Sequence, residues 1–237
     1  MANSTITRQD FLDEINDFSE KLGILSKWKT SGDAFGHLTQ SIKGKSVVAN
    51  IAKPDYFYEF YCYIKILEDL QQEYKVEFEE GDKMFPRKPA NKKGKPFFKL
   101  LKDGKEVFHV CAGTKILSIA GHQQEAPDIS FQKPNAHPEN PTYADVDIIM
   151  DPKYSESGEI SAPKGAFNNF AMMVKHLQTE NADNVKIDFT NFHEFKGNLL
   201  ITNRECYTQD LAVLKINSVN VVKNFNETKT FEFLEGK

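Results

Sequence analysis

The residues best suited to chemistry are two aspartates and a lysine that fall within strand-like segments. Asp151 and Lys153 lie two positions apart in the run 145–154, where apolar and polar residues alternate. Alternation with period two is typical of a β-strand and places both side chains on one face. Asp128 lies in a second such segment, 127–131. Metal-assisted phosphodiester hydrolysis requires this set, because carboxylates hold Mg²⁺ while a lysine orients water and offsets charge.

The pattern resembles the motif of the PD-(D/E)XK nucleases, the restriction-endonuclease-like superfamily. Pro127 and Asp128 correspond to its Pro-Asp, and residues 151–153 to its (Asp/Glu)-x-Lys, with Asp where Glu is commoner. Within that superfamily the chain looks closest to the nuclease subunits of McrBC-type systems and to Mrr-like restriction nucleases, over roughly residues 54–224. The resemblance implies an α/β fold with a restriction-endonuclease-like core, in which helices flank a central mixed β-sheet.

The resemblance also implies roles for individual residues. It assigns catalysis to Asp128, Asp151, Lys153 and Glu59, the last of which lies in an aromatic helix upstream of the sheet. Mg²⁺, for which Mn²⁺ can substitute, would be held by Asp128, Asp151, Glu59 and the backbone carbonyl of Pro152. Since a carboxylate-rich pocket raises the pKa of a lysine, we expect Lys153 to orient water and stabilise charge rather than to act as a base.

Each of these residues also has a purely structural interpretation. An exposed Asp-x-Lys pair on a strand is commonly a solvated ion pair that contributes little. Glu59 could be a hydrogen-bonded, partly buried acid, and Asp145 and Asp147 mark the polar start of their strand. The apolar run 146–150 around the carboxylates favours the functional interpretation for Asp151.

A basic segment, residues 83–105, is the second functional candidate. It holds nine basic side chains and one aspartate, in a chain whose net charge is −4. Its prolines and glycine predict a loop, followed by a hairpin that turns at Asp103-Gly104. Such a loop beside a catalytic sheet would bind phosphates with a strong salt dependence, and a solvated loop is the alternative. The nucleic-acid-binding candidates are Arg87, Lys88, Lys92, Lys93, Lys95 and, on a later helix, Lys164.

The remaining sequence is typical of a globular α/β protein. Its 237 residues are 40% hydrophobic and 27% charged, which suffices for one domain with a substantial core. We predict an N-terminal helical extension over 1–53, with a first helix that ends at Gly23, and a nuclease-like domain over 54–237. Strands are predicted at 74–79, 97–101, 106–119, 128–131, 145–151, 185–189, 199–203 and 219–222, and helices at 55–72, 163–178 and 206–216.

Composition argues against several other classes. No apolar run approaches the length of a membrane span, and the N-terminus does not look like a signal peptide, so we predict a cytoplasmic protein without membrane contact. The three cysteines, Cys62, Cys111 and Cys206, are scattered and odd in number, which predicts reduced core residues. His109 and Cys111 share a strand face, but a zinc site would need two further ligands.

The sequence therefore predicts a Mg²⁺-dependent endodeoxyribonuclease that acts in restriction or anti-phage defence, although the residues do not distinguish DNA from RNA. A homodimer would cut both strands, and a monomer would nick. The McrBC-like resemblance implies a separate NTPase or defence-system subunit, since the chain has no Gly-x-x-x-x-Gly-Lys-Ser/Thr loop. The alternatives are a catalytically inactive or partner-dependent nucleic-acid-binding module with the same fold, and a protein-interaction scaffold.

Overall fold

A computed structural model describes residues 17–18, 20–22, 54–79, 81, 89–118, 124–155, 164–181, 195–225 and 232–234. Its helices are α1 (Pro54–Leu70), α2 (Lys164–Glu180), α3 (Thr208–Ile216) and a 3-10 turn (Tyr143–Asp145). Its strands are β1 (Lys75–Glu79), β2 (Phe97–Lys102), β3 (Lys105–Ala112), β4 (Ile116–Leu117), β5 (Gln124–Glu125), β6 (Ile129–Gln132), β7 (Val146–Lys153), β8 (Leu199–Thr202), β9 (Asn220–Lys223) and β10 (Glu232–Leu234).

The strands form one mixed sheet in the order β1-β2-β3-β6-β7-β8-β9-β10, while β4 and β5 pair separately. Pairing is antiparallel from β1 to β7, parallel from β7 to β9, and antiparallel again between β9 and β10. Parallel neighbours require a crossover, and here α2 precedes β8 and α3 precedes β9. The predicted α/β class, with a central mixed sheet flanked by helices, is confirmed.

Helices cover both faces of the sheet. On one face, α1 packs its aromatic and aliphatic side chains against Ile129, Ile148 and Met150. On the other, the apolar side of α2 packs against Ile149 and Leu200, as its spacing predicted. Because both faces are covered, β7 is buried from residue 148 to residue 152 although it carries a carboxylate. None of the helices in the described ranges is both long and apolar enough to cross a membrane.

The structure corrects three details of the sequence prediction. The strand predicted at 106–119 ends at Ala112, because Gly113 adopts a positive φ of 53° that breaks the extended chain. Asp145 belongs to the 3-10 turn, where its carboxylate accepts a hydrogen bond from the backbone N–H of Thr142. Strict alternation over 145–154 would place Val146 on the face of Ile148, but Val146 packs with Ile149, because the β6–β7 register shifts between Val146 and Ile148.

The hairpin predicted at Asp103-Gly104 is confirmed. It joins β2 to β3, and both turn residues have positive φ values of 52° and 76°. Two consecutive positive φ values define the type I′ turn, whose twist matches that of the flanking strands. This pair therefore has a structural role.

The predicted N-terminal extension lies mostly outside the described residues. Within it, Phe18 is fully buried and packs edge-on against Phe98 at 5.9 Å between ring centroids. The division into 1–53 and 54–237 stays a prediction, and the strand predicted at 185–189 also lies outside the described part of the chain.

The three cysteines are buried and free of disulfides, as predicted. Burial raises the pKa of the Cys62 thiol well above its ordinary value, and that of Cys111 to about 11. Both thiols are therefore held in the protonated form, which is the unreactive one.

Candidate active site

The register of β6 and β7 brings the two predicted carboxylates together. Ile129 pairs with Met150 and Ser130 with Ile149, so the antiparallel register continued by one residue sets Asp128 opposite Asp151. Period-two alternation directs Asp151 and Lys153 to the same face of β7. The backbone carbonyl of Asp128 accepts a 2.8 Å hydrogen bond from Gly113 N, which ties it to the end of β3.

Lys153 completes the set. Its Nζ lies 3.0 Å from Asp128 Oδ2 and 2.8 Å from Asp151 Oδ2. The Asp151 side chain is 4% exposed, whereas those of Asp128 and Lys153 are 23% and 24% exposed. The structure therefore brings together the three residues that the sequence singled out, one buried acid with a partly exposed acid and a partly exposed lysine.

The charges of this group determine its protonation. Burial raises the pKa of Asp151 well above its usual range, and the neighbouring Asp128 raises it further, while Lys153 opposes both effects. Burial alone would lower the pKa of Lys153, but Asp151 and Asp128 outweigh it and leave that pKa above its ordinary value. Lys153 is thus an ammonium at neutral pH and cannot accept a proton from water.

Glu59 lies on α1, near the same end of the sheet. The ring of its neighbour Tyr58 lies 5.6 Å from the ring of Tyr154, which directly follows Lys153. The negative charges of Glu59 and Asp128 both raise the pKa of Cys62, after the larger effect of burial, so both acids lie near that thiol. The role of Glu59 in catalysis or metal binding stays a prediction.

The donor set of the site suits a hard divalent cation. Carboxylate and carbonyl oxygens are the ligands that Mg²⁺ prefers, and Asp128, Asp151 and the carbonyl of Pro152 would supply them. One ammonium also leaves two carboxylates with an excess of negative charge. In the described part of the chain, however, no group of three or more histidine, cysteine or acidic side chains is arranged to hold a metal ion.

Two asparagines at the ends of β8 hold β7 in place. Asn203 Oδ1 accepts from the N–H of Ser155, and Asn203 Nδ2 donates to the Ser155 carbonyl, both at 3.0 Å. At the other end, Asn198 Oδ1 accepts from the N–H of Ile149 at 3.0 Å. These residues were not among the predicted site residues, although an asparagine on each side of the apolar run 199–202 was a visible signal.

A second polar cluster fixes the chain just before Asp128. The carboxylate of Glu125 accepts a hydrogen bond from the buried Tyr143 hydroxyl, and its Oε1 and Oε2 lie 3.1 and 3.2 Å from His176 Nδ1. The cluster joins β5 to the 3-10 turn and to α2. Nothing in the spacing of these three residues along the sequence indicated that they meet.

The basic segment reaches the site through its backbone. Ala90 N donates to the Gly113 carbonyl at 3.1 Å, and Lys115 N donates to the Ala90 carbonyl at 2.9 Å. Gly113 N also donates to the Asp128 carbonyl. Only the backbone at Gly113 therefore lies between Ala90 and Asp128. Arg87, Lys88 and the side chain of Lys164 lie outside the described residues, so their predicted contacts with nucleic acid stay predictions.

Several lysines of the segment are engaged within the protein. Lys92 is buried, with its ammonium 2.7 Å from His109 Nδ1 and 4.4 Å from the centroid of the Phe97 ring, and its predicted contact with nucleic acid stays a prediction. Lys93 is exposed and pairs with Glu139, and Lys95 is half-buried. Two further lysines form ion pairs, Lys99 with Glu79 and Glu106 and Lys102 with Glu73.

Comparison with known proteins identifies no family. No family model matches the chain, and no curated protein matches it either. A solved structure with some similarity is that of NucC from E. coli MS115-1 in its cAAA-bound form, at 10% identity, with 99% of this chain and 86% of that chain covered and a TM-score of 0.36. A likeness this distant assigns no activity to the chain.

Proposed function

We propose that this chain is a metal-dependent nuclease that hydrolyses phosphodiester bonds at Asp128, Asp151 and Lys153. The observation that carries the proposal is the contact of one ammonium with two carboxylates, one in β7 and one directly before β6, at 2.8 and 3.0 Å. A surface ion pair would not need two acids on the covered face of a sheet, one of them almost fully buried.

In this mechanism Lys153 acts as a permanent cation. It orients the attacking water and stabilises the extra negative charge that develops on the phosphate in the transition state. Asp128 and Asp151 hold that ammonium in place and present oxygen ligands. Mg²⁺, when bound by these aspartates, the Pro152 carbonyl and Glu59, directly or through water, supplies Lewis-acid stabilisation and a water of lowered pKa.

The proposal extends to substrate and context on the strength of the motif resemblance. We propose DNA as the substrate, endonucleolytic cleavage, and a role in restriction or anti-phage defence. A homodimer would deliver two cuts, and a separate NTPase or defence-system subunit would supply the motor activity that such systems use. The exposed part of the basic segment beside Asp128 would then contact the DNA backbone.

The test is cleavage of supercoiled plasmid, linear duplex, single-stranded DNA and RNA with Mg²⁺, Mn²⁺ or EDTA. Wild type would be compared with Asp151→Ala, Lys153→Ala and, as a matched lysine control at the far edge of the sheet, Lys75→Ala. We expect metal-dependent cleavage that both site variants abolish and the control retains. Binding without cleavage under every condition would contradict an autonomous nuclease.

One observation favours a second function, a nucleic-acid-binding module without catalysis. The described residues contain no cluster of three metal-ligating side chains, so the site could bind a metal ion too weakly to work alone. This alternative predicts salt-sensitive binding to nucleic acid that neither Mg²⁺ nor Asp151→Ala alters.

A further inference from the structure

We infer that Arg204 binds a phosphate of the nucleic-acid strand that occupies the site of Asp128, Asp151 and Lys153, an inference that rests on the proposed nuclease function. Arg204 lies outside the motif that identified the site. Its position follows from the pairing of the catalytic strand with its parallel neighbour.

The register places Arg204 beside the chain that leaves Lys153. In the parallel pair β7–β8, Lys153 is opposite Thr202, so residues 155 and 204 follow at the same level beyond the strand ends. Arg204 Nε donates to the Ser155 carbonyl at 3.3 Å. Two residues of extended chain span about 7 Å, so the Ser155 carbonyl that Arg204 contacts lies about that far along the chain from the backbone of Lys153.

The backbone around Arg204 is held on several sides. Its N–H donates to Thr202 Oγ1 at 3.2 Å, and its carbonyl accepts from Asn224 N at 3.3 Å. Next to it, Asn203 is bonded twice to Ser155. A guanidinium anchored in this way loses little conformational entropy when it binds a ligand, which favours recognition over flexible contact.

The charges around Arg204 fit an anionic ligand. The acid that follows it in sequence, Glu205, is engaged by Lys223 Nζ at 2.8 Å and by Asn224. Arg204 is partly exposed, and the planar donors of a guanidinium match the geometry of phosphate oxygens. Lys153 and Arg204 would thus lie along one strand of nucleic acid, the first at the scissile phosphate and the second at a neighbouring one.

Phosphate binding by Arg204 can be distinguished by measurement from a purely structural role, in which Arg204 only anchors Ser155. A phosphate contact releases counterions, so its removal makes the plot of log K against log salt less steep by about 0.9 for duplex DNA. Loss of an anchor alone leaves that slope unchanged. The slope therefore separates the two roles even where both lower the rate.

The experiment measures binding of a fluorescent DNA duplex to the full chain by anisotropy over a NaCl series in EDTA. Arg204→Gln removes the charge but keeps an N–H donor for the Ser155 carbonyl. We expect it to weaken binding on the order of tenfold and to reduce the slope by about one. Arg204→Lys should bind more weakly than wild type with an unchanged slope, because it keeps the charge without the planar donors.

The matched control is Lys75→Gln, the same loss of charge at the exposed edge strand β1, which should leave affinity and slope unchanged. If Arg204→Gln binds DNA with the affinity and salt slope of the wild type, the inference is overturned, but the nuclease proposal stands. If that variant does not fold, wild-type affinity in Arg204→Lys overturns it instead. A wild-type chain that neither binds nor cleaves nucleic acid overturns the proposed function and this inference with it.

Discussion

Two lysines, Lys153 in β7 and Lys92 in the loop before β2, show how their neighbours decide what a cation can do. Lys153 is partly exposed and contacts two carboxylates, whereas Lys92 is buried against the ring of Phe97 and the Nδ1 atom of His109. Because an ammonium can only donate, His109 must accept at Nδ1 and carry its proton on Nε2, which lies 3.1 Å from Glu106 Oε2. We interpret Lys153 as a functional cation and Lys92 as a structural one.

The largest expected effect is on catalysis at Lys153. Lys153→Ala should lower the single-turnover cleavage rate by about a hundredfold or more, which corresponds to roughly 3 kcal/mol of transition-state stabilisation. DNA affinity in EDTA should change far less, because the ammonium acts on the transition state. Equal losses of affinity and rate would show that Lys153 only binds substrate and would weaken the contrast with Lys92.

A smaller effect is expected on stability at Lys92. Lys92→Ala should reduce the free energy of unfolding by about 1–3 kcal/mol, since it removes a buried hydrogen bond to His109 and a cation–π contact with Phe97. Urea denaturation monitored by circular dichroism measures the change. Cleavage per folded molecule should stay within about threefold of wild type, a change in barrier of less than 1 kcal/mol. A loss as large as that of Lys153→Ala would contradict a structural role.

The smallest expected effect is on the pH dependence of stability, and it tests the role of His109, the hydrogen-bond partner of Lys92. Burial lowers the pKa of His109, and the charge of Lys92 lowers it further, so the unfolded chain binds this proton more readily than the folded one. The stability that depends on neutral His109 is therefore fully present above the pKa of the unfolded chain, about 6.5. It is lost as the pH falls below that value, with a slope of at most about 1.4 kcal/mol per pH unit.

Urea denaturation between pH 8 and pH 5 measures this dependence. His109→Gln, which keeps an acceptor for Lys92 but does not titrate in that range, should flatten the profile. An unchanged profile in that variant would assign the pH dependence to other groups.

The positions of Asp128, Asp151 and Lys153 could be predicted, because they depend on the alternation within one strand and on its pairing with one neighbour. Alternation placed Asp151 and Lys153 on one face, and a single register relation brought Asp128 opposite them. Apart from the strand predicted at 106–119, the strands β6 to β9 and the helices α1 to α3 were predicted to within a few residues, since their apolar periodicity is strong.

The contacts that support the site were not predictable in the same way. Asn203 and Ser155 are 48 residues apart, and Glu125 and His176 are 51 apart, so only the tertiary fold brings them together. The position of Lys92 shows the same limit. Its charge suggested a phosphate contact, and its burial depends on a histidine 17 residues away.

The change from antiparallel to parallel pairing at β7 also has a consequence for the order of folding. Asp128 directly precedes β6 and Asp151 lies in β7, and these antiparallel neighbours are joined by a shorter connection than β7 and β8, which are separated by the chain that contains α2. Since loop-closure entropy favours the shorter connection, the β6–β7 pair should form first. The acids would then meet in water, and α2 and β8 would enclose them afterwards, so the electrostatic cost of burial falls on the last step of folding.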